Sequence, residues 1–154
     1  QFFPDKPKAL SEIGRVIRSG GRLYLSCWRA ESPLFQAVSA SLKARVDEDV
    51  ARQALTPYAF RDSQLIASLV EAAGFVIDER VDIIVDRHLT PLQTAIREEM
   101  LAQPYEKALT EAGDATIQAI VDDVVAALSE YRNGDSMTVP NDVQLFKATK
   151  SAAV

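Results

Sequence analysis

The stretch that decides the fold is RVIRSGGRLYLSCWR, residues 15–29, where a helical pattern stops at two glycines and a strand pattern begins. Residues 10–17 place apolar side chains at the spacing of one helix face. Residues 22–28 then alternate between two faces, with Leu23, Leu25 and Cys27 on one and Tyr24, Ser26 and Trp28 on the other. Both faces carry bulky groups, so the pattern predicts a strand that is covered on two sides.

The rest of the chain continues the alternation of helices and strands. Cap and spacing signals predict four further helices, at 33–46, 62–74, from 91 to about 103 and at 114–131, a short helix at 105–110, and strands at 75–88 and 143–149. The expected N-caps are Asp5, Ser32, Asp62 and Asp114. This order predicts an α/β layered fold, a single domain over residues 1–154 with a helical insertion at about 90–135 before the last strand.

The strand at 75–88 has the clearest two-residue period in the chain. Its apolar residues Phe75, Ile77, Val81, Ile83 and Val85 fall on one face, and acidic and basic residues fall on the other. The pattern predicts a long strand at a sheet edge with one buried and one wet face.

Composition excludes several classes of function. The 154 residues carry a net charge of −5 without a cluster of Lys and Arg, which argues against binding to nucleic acid or to an anionic membrane surface. No apolar run approaches the ~20 residues of a membrane span. Cys27 is the single cysteine, so a multi-cysteine metal site and an internal disulfide are excluded, and we expect a cytoplasmic location.

The first 29 residues also carry a family resemblance. QFFPD at 1–5, a helix ending RVIRSGG and the strand RLYLSCWR resemble class I S-adenosylmethionine-dependent methyltransferases, above all the ubiquinone and menaquinone biosynthesis type. EAAGF at 71–75 resembles the end of that family's next helix, whereas Ser19 stands where proline is usual. The resemblance implies the C-terminal part of a three-layer, Rossmann-like fold, with 143–149 antiparallel between 22–28 and 75–87.

The resemblance also implies which parts lie outside this sequence. The family's glycine-rich cofactor loop and its ribose-binding acidic residue would precede Gln1, so we expect the chain to be a piece of a longer protein. Gly20-Gly21 is no substitute, because it follows a helix and precedes a strand, whereas a nucleotide loop follows a strand and opens a helix. We interpret the two glycines as a helix stop.

The candidate site residues flank the strand at 22–28. By resemblance, Gln1 is a cofactor-binding candidate, with a buried core position as its alternative; Phe2 and Phe3 are expected in the core. Trp28 and Arg29 are candidates to line the substrate, since open α/β sheets bind ligands beyond the carboxyl ends of their strands. The alternative for Trp28 is packing beneath the following helix.

The remaining reactive side chains receive structural interpretations. Cys27 is expected to be a buried, inert thiol, and His88 an exposed histidine without a catalytic partner. The acidic residues at 47–49 and 122–123 are expected to form solvated faces. We therefore assign no catalytic residue and no metal ligand within this sequence.

The resemblance predicts S-adenosylmethionine-dependent methyl transfer to a small molecule by the longer protein, through positioning and desolvation, with the insertion at 90–135 as a lid. This chain alone is then expected to be inactive, and to associate with itself or with the missing N-terminal half. The alternative is a non-catalytic α/β module that assembles with a partner chain.

Overall fold

The computed structural model describes residues 1–152. The helices are α1 (Lys6–Val16), α2 (Pro33–Arg45), α3 (Glu48–Leu55), α4 (Ser63–Ala72), α5 (Leu92–Leu101), α6 (Glu106–Ala112) and α7 (Asp114–Ala127), with 3₁₀ turns at Thr56–Tyr58 and Ser129–Tyr131. The strands are β1 (Arg22–Trp28), β2 (Phe75–Leu89), β3 (Arg132–Asn133) and β4 (Ser136–Lys150).

Aspartates begin several of the helices. The Asp5 carboxylate accepts a hydrogen bond from the Lys8 backbone N–H at 2.9 Å, and Asp62 accepts one from the Gln64 N–H at 2.8 Å, so both predicted caps are confirmed. The predicted cap at Asp114 is wrong by one residue. Gly113, with a φ of 87°, makes the turn into α7, and Asp114 is already helical.

The sheet has the strand order β1-β4-β2, which confirms the predicted position of the last strand. β1 and β4 are antiparallel in an uninterrupted register that runs from Arg22 opposite Thr149 to Trp28 opposite Val143. β4 begins earlier than predicted because Asn133-Gly134 forms a tight turn that pairs β3 with its first residues. β2 ends the strand order, as predicted for an edge strand.

The fold divides into two compact units. The first unit comprises residues 1–30, 57–84 and the described residues from 142 onward; the second comprises 31–56 and 85–141. The residues of β2 and of β4 are shared between the units. The single domain expected from the sequence stays a prediction.

The core of the first unit lies between one face of its strands and the helices α1 and α4. Cys27 of β1 and Phe146 of β4 meet Leu10 of α1 and Ile66 of α4, each with at most 6% of its surface exposed. Burying a large apolar side chain of this kind contributes about 1.5–3 kcal/mol. This face follows the alternation of the sequence, because Leu23, Leu25 and Cys27 point toward the helices.

The opposite face of the same strands is largely exposed among the described residues, apart from Trp28 at the end of β1, which packs on Tyr58. Tyr24 is 66% exposed, Val81 40% and Leu145 36%. The expectation that β1 is covered on two sides is therefore not met within residues 1–152. The single wet face expected for β2 is also wrong, because residues 78–86 are exposed on both faces.

Phe2 and Phe3 contradict their expected place in the core. They are 73% and 61% exposed, in an irregular segment before α1. An aromatic side chain is buried only where another element packs against it. None of the described elements covers the rings of Phe2 and Phe3. Sequence pattern could not show this, because the missing cover is a property of the tertiary structure.

The second unit encloses a core of its own. Helix α7 packs against α2, α5 and α6. Leu34, Val38, Ile96, Ile120 and Val124 are fully buried. This confirms the apolar stripes predicted for the helices at 34–46 and 92–100 and most of the stripe predicted at 117–131, whose last member, Tyr131, lies in the 3₁₀ turn after α7.

The side chain of Asp123 keeps 38% of its surface exposed, as predicted for residues 122–123, and it is also paired. Its carboxylate accepts two hydrogen bonds from the Arg45 guanidinium, at 2.6 and 2.9 Å, and one from the Ser41 hydroxyl at 2.5 Å. These contacts lower the pKa of Asp123 to about 2, with the Arg45 bonds as the largest cause and the Ser41 bond second. Asp123 therefore ties α7 to α2.

Within residues 1–152, no helix has the combination of length and apolar character that a membrane crossing requires.

Candidate functional site

Gln1 lies beside the carboxyl end of β1. Its side-chain oxygen Oε1 accepts a hydrogen bond from the Trp28 backbone N–H at 3.3 Å. The side-chain amide of Gln1 thus occupies the hydrogen-bonding position that a neighbouring strand would take. The structure brings together two of the three predicted site residues at this point.

The half-buried indole of Trp28 packs on the phenol ring of Tyr58. The two ring centroids are 5.5 Å apart and the planes are inclined by 41°, a tilted aromatic pair. Tyr58 is 2% exposed, so it gives Trp28 a fixed support from the Thr56–Tyr58 turn. Tyr58, which belongs to the first unit like Trp28, is therefore the packing partner that could not be identified from the sequence.

A buried glutamine supports the same strand end. Gln144 of β4 is fully buried, and its Nε2 donates to the carbonyl oxygens of Trp28 at 3.2 Å and Arg61 at 2.8 Å. Its Oε1 accepts from the Ser63 hydroxyl at 2.8 Å. Because a buried amide needs its hydrogen bonds, these contacts fix the backbone at Trp28 against the start of α4.

Arg29, the third predicted residue, is already paired with carboxylates. Its guanidinium lies 2.8 Å from Asp142 and 3.9 Å from Asp82, and Asp82 also pairs with Arg80 at 2.9 Å. All of these side chains are substantially exposed to solvent, so each pair contributes little to stability. An incoming anionic group would have to displace Asp142 from Arg29.

A small cavity of about 120 Å³ opens at this strand end, lined by Gln1, Ser26, Cys27, Trp28 and Val143. Pockets that enclose a whole ligand measure about 300–1,000 Å³. This cavity is therefore too small to enclose a whole ligand by itself.

Two residues keep the structural interpretations that the sequence gave them. Cys27 is 2% exposed on the helix-covered face, and burial raises the pKa of its thiol, which disfavours the reactive thiolate. His88 is exposed, with its Nδ1 3.0 Å from the hydroxyl of Thr138. Among residues 1–152, no group of three or more His, Cys, Asp and Glu side chains is placed to hold a metal ion.

Comparison with known proteins identifies the fold. No protein-family description and no curated protein matches the chain. A solved structure from Bacillus halodurans, described as a methyltransferase, superposes with a TM-score of 0.51 at 19% sequence identity over 97% of this chain. The chain has the fold of the C-terminal part of a Rossmann-like methyltransferase. It spans 60% of the length of the Bacillus protein.

Two solved structures of phosphoethanolamine N-methyltransferase 2 from Haemonchus contortus are also similar. One, with phosphomonomethylethanolamine and S-adenosylhomocysteine, has a TM-score of 0.41 at 21% identity, covering 99% of this chain and 32% of that one. The other, with S-adenosyl-L-methionine, has a TM-score of 0.36 at 19% identity, covering 96% and 30%.

The methyltransferase fold allows a test of whether these residues could hold the cofactor S-adenosylmethionine. Gln1 and Trp28 offer a polar amide and an aromatic face beside the 120 Å³ cavity, which suits part of a nucleoside ligand. Gly20, with a φ of 74°, follows a helix, and its N–H donates to the Lys150 carbonyl. The two glycines therefore do not form the loop of free backbone N–H groups that binds a nucleotide. Whether Gln1 and Trp28 contact the cofactor stays a prediction.

Sequence reasoning predicted Gln1, Trp28 and Arg29 and missed the residues that hold them. Tyr58, Asp142 and Gln144 are distant from Trp28 along the chain and carry no motif. The one available signal was Gln144, a polar residue that alternation places on the same face of the strand as Phe146 and Ala148. The proposed ligand roles of Gln1, Trp28 and Arg29 stay predictions.

Proposed function

We propose that this chain is the C-terminal part of an enzyme that transfers a methyl group from S-adenosylmethionine to a small molecule, as the resemblance to quinone-biosynthesis methyltransferases implies. The observation that supports it is the fold match over 97% of the chain, together with the arrangement of Gln1, Trp28 and Arg29 at one strand end. Ligands of open α/β sheets bind at this end of the strands.

Each of the three residues has a part in the proposal. Gln1 is held by the Trp28 N–H through its Oε1, which leaves its Nε2 hydrogens to donate to the cofactor. The indole of Trp28, supported by Tyr58, offers an apolar wall that excludes water from the reacting groups. Arg29 would exchange Asp142 for an anionic group of the substrate.

S-adenosylmethionine supplies an activated methyl group when it is bound. The residues described here position and desolvate the reactants, and no general base among them is required by the proposal. The glycine-rich loop and the ribose-binding carboxylate would come from polypeptide outside these residues, and the helices of the insertion at 90–135 would act as the lid over the pocket. A cytoplasmic location stays part of the same proposal.

Titration of S-adenosylhomocysteine into the purified 154-residue chain tests this proposal, with the fluorescence of Trp28, the single tryptophan, as the readout. We expect a dissociation constant weaker than about 1 mM, because only one wall of the site is present. Micromolar binding would show that the cofactor site is complete here and is wrongly placed in the proposal.

A second test distinguishes the proposed enzyme from the alternative, which is a non-catalytic module that assembles with a partner chain. The alternative draws on one observation, the exposed apolar face around Tyr24, Val81 and Leu145. The coding sequence upstream of Gln1 discriminates the two. A glycine-rich strand-loop-helix within about a hundred residues, a usual domain length, would support the enzyme, and its absence would support the module.

A further inference from the structure

The long strand β2 stands at one end of the sheet. β4 lies along one side of β2, and no strand among residues 1–152 lies along the other side, because β2 ends the strand order. Since every second residue of an antiparallel strand directs its N–H and C=O away from its neighbour, this outer edge presents unpaired backbone groups. β4 separates the edge from β1, so the exposure of the edge does not depend on what lies beside β1.

The middle of β2 is apolar and exposed. Val81, Ile83, Ile84 and Val85 are between 37% and 67% exposed. Side chains that branch at Cβ fit a pleated sheet and favour strand pairing. Natural sheets protect an open edge with prolines, bulges or charges. β2 contains no proline and carries charges of both signs, so the strand that this edge accepts depends on how those charges are arranged.

The charges of β2 are complementary when the strand is read against itself. Residues at equal distances from Ile83 form the following pairs: Val81 with Val85, Arg80 with Asp86, and Glu79 with Arg87. The two outer pairs join opposite charges, and the inner pair joins two valines. A centre at Asp82 would oppose Asp82 to itself, and a centre at Ile84 would oppose Asp82 to Asp86, so Ile83 is the centre that avoids like charges.

We propose that a second copy of this chain pairs with the outer edge of β2, antiparallel, with the two-fold axis at Ile83. The pairing relates residues at equal distances before and after Ile83, so an outward-facing residue of one subunit always meets an outward-facing residue of the other. Arg80 then lies opposite Asp86 of the partner subunit. Opposite charges across an antiparallel pair are favourable, and the pairing is self-complementary, as a two-fold symmetric interface requires.

The charged side chains at the ends of this segment are accessible to a partner. Arg80 keeps 41% of its side-chain surface exposed, and Asp86 is exposed. Arg80 lies 2.9 Å from Asp82 of its own subunit, an exposed pair that contributes little to stability and that the partner's Asp86 can join. Arg87 is paired with Glu99 and is 27% exposed, so Arg80 and Asp86 are the residues to vary. The inference concerns β2 and does not depend on the proposed methyl transfer.

Oxidation of a cysteine placed on the axis tests the geometry in the 154-residue chain. Opposite Cβ atoms in an antiparallel pair are about 4.5–5.5 Å apart, close to the separation within a disulfide, so Ile83→Cys should form a cross-linked dimer of twice 16.9 kDa. Val81→Cys is the matched control, because two positions from the axis the equivalent residues are about 13 Å apart, and it should not cross-link. Cys27, the single native cysteine, is buried and common to both variants. Absence of a cross-link in Ile83→Cys, or equal cross-linking of both variants, would overturn the proposal.

Exchange of the two charges tests their complementarity. Arg80→Asp and Asp86→Arg each oppose like charges at two symmetry-related positions, and each should weaken the dimer at least about tenfold, measured by light scattering over a range of concentrations. The double variant Arg80→Asp/Asp86→Arg restores opposite charges and should return the dimer to within about threefold of the parent. Arg22→Asp, at an exposed position of β1, makes the same change of net charge as Arg80→Asp and should leave the dimer unchanged.

Circular dichroism of each variant establishes that it folds. If one of the single-charge variants does not fold, the other one and the double variant decide. A parent chain that is monomeric at every concentration would refute pairing through β2. So would a double variant that dimerises as weakly as the single variants, or a dimer that Arg22→Asp weakens as much as Arg80→Asp does.

Discussion

Helices α2, α5 and α7 of the second unit turn their large apolar side chains inward, with Val38, Ile96 and Ile120 fully buried. The first unit has a comparable core beneath α1 and α4, but among its described residues ten large apolar side chains are exposed, against Val85 alone in the second unit. The exposed set in the first unit is Phe2, Phe3, Val16, Tyr24, Leu65, Val76, Val81, Ile83, Ile84 and Leu145.

The second unit buries its own apolar side chains, whereas the first unit leaves many of its apolar side chains exposed. The second unit gains the hydrophobic stabilisation of its helices without further cover. In the first unit, one sheet face is packed, and the other leaves Tyr24, Val81 and Leu145 exposed around a shallow cavity; clustered exposed apolar side chains mark association sites. Four substitutions test this contrast, beginning with the largest expected effect.

Ile120→Ala should destabilise the chain by about 2–5 kcal/mol, because it opens a cavity in a fully buried part of α7. Ile84→Ala is the matched control at a position that is 67% exposed, and surface changes of this kind shift stability by about 0.5 kcal/mol or less. Urea denaturation of both variants measures the difference. Equal effects would mean that the bare face around Ile84 is covered in solution.

Gln144→Leu should cost about 2–4 kcal/mol, since it leaves the carbonyls of Trp28 and Arg61 and the hydroxyl of Ser63 without their partner. Trp28 lies at the affected strand end, so its fluorescence should shift before global unfolding. Gln118→Leu, on an exposed surface of α7, serves as the comparison. A variant with normal stability and unchanged emission would show that the Gln144 network does not hold the site.

Asp123→Asn should destabilise the chain at neutral pH and have little effect in strong acid. The pKa of Asp123 is about 2 in the folded state, against an ordinary value of 3.8, so its stabilisation is present above about pH 4 and is lost as pH falls through 2. Urea midpoints at several pH values should converge for variant and parent below pH 2. Asp122→Asn, at the neighbouring position, should change the urea midpoint less. If the midpoint of Asp123→Asn differed from that of the parent by the same amount at every pH, the lowered pKa of Asp123 would be contradicted.

Arg29→Met should change stability by less than about 1 kcal/mol, because the pairs with Asp142 and Asp82 are solvent-exposed. A small effect would distinguish Arg29, whose ion pairs are exposed, from Gln144, whose hydrogen bonds are buried. Thermal unfolding with and without 1 M salt checks it, since salt screens exposed pairs. A loss above 2 kcal/mol would show that Arg29 is a structural residue rather than one available to a ligand.

Most of the elements could be predicted from the sequence because they depend on local chemistry. Asp5 and Asp62 cap their helices through side-chain oxygens two or three residues from the amides they bond. The alternation at 22–28 placed Cys27 toward the core, and the resemblance placed β4 between β1 and β2. Trp28 and Arg29 were predicted from their position at the end of a strand, and Gln1 from the family resemblance.

Only the tertiary structure decided which apolar residues are covered and what holds the strand end. Phe2 and Phe3 have the composition of a core, yet burial depends on elements that arrive from elsewhere in the fold, and none of the described elements reaches them. Gln144 contacts Trp28 and Arg61 across more than eighty positions of the chain. The periodicity of a sequence reflects which side of a helix or strand each residue faces. Burial and hydrogen-bond partners depend instead on contacts between distant segments, which form only when the chain folds.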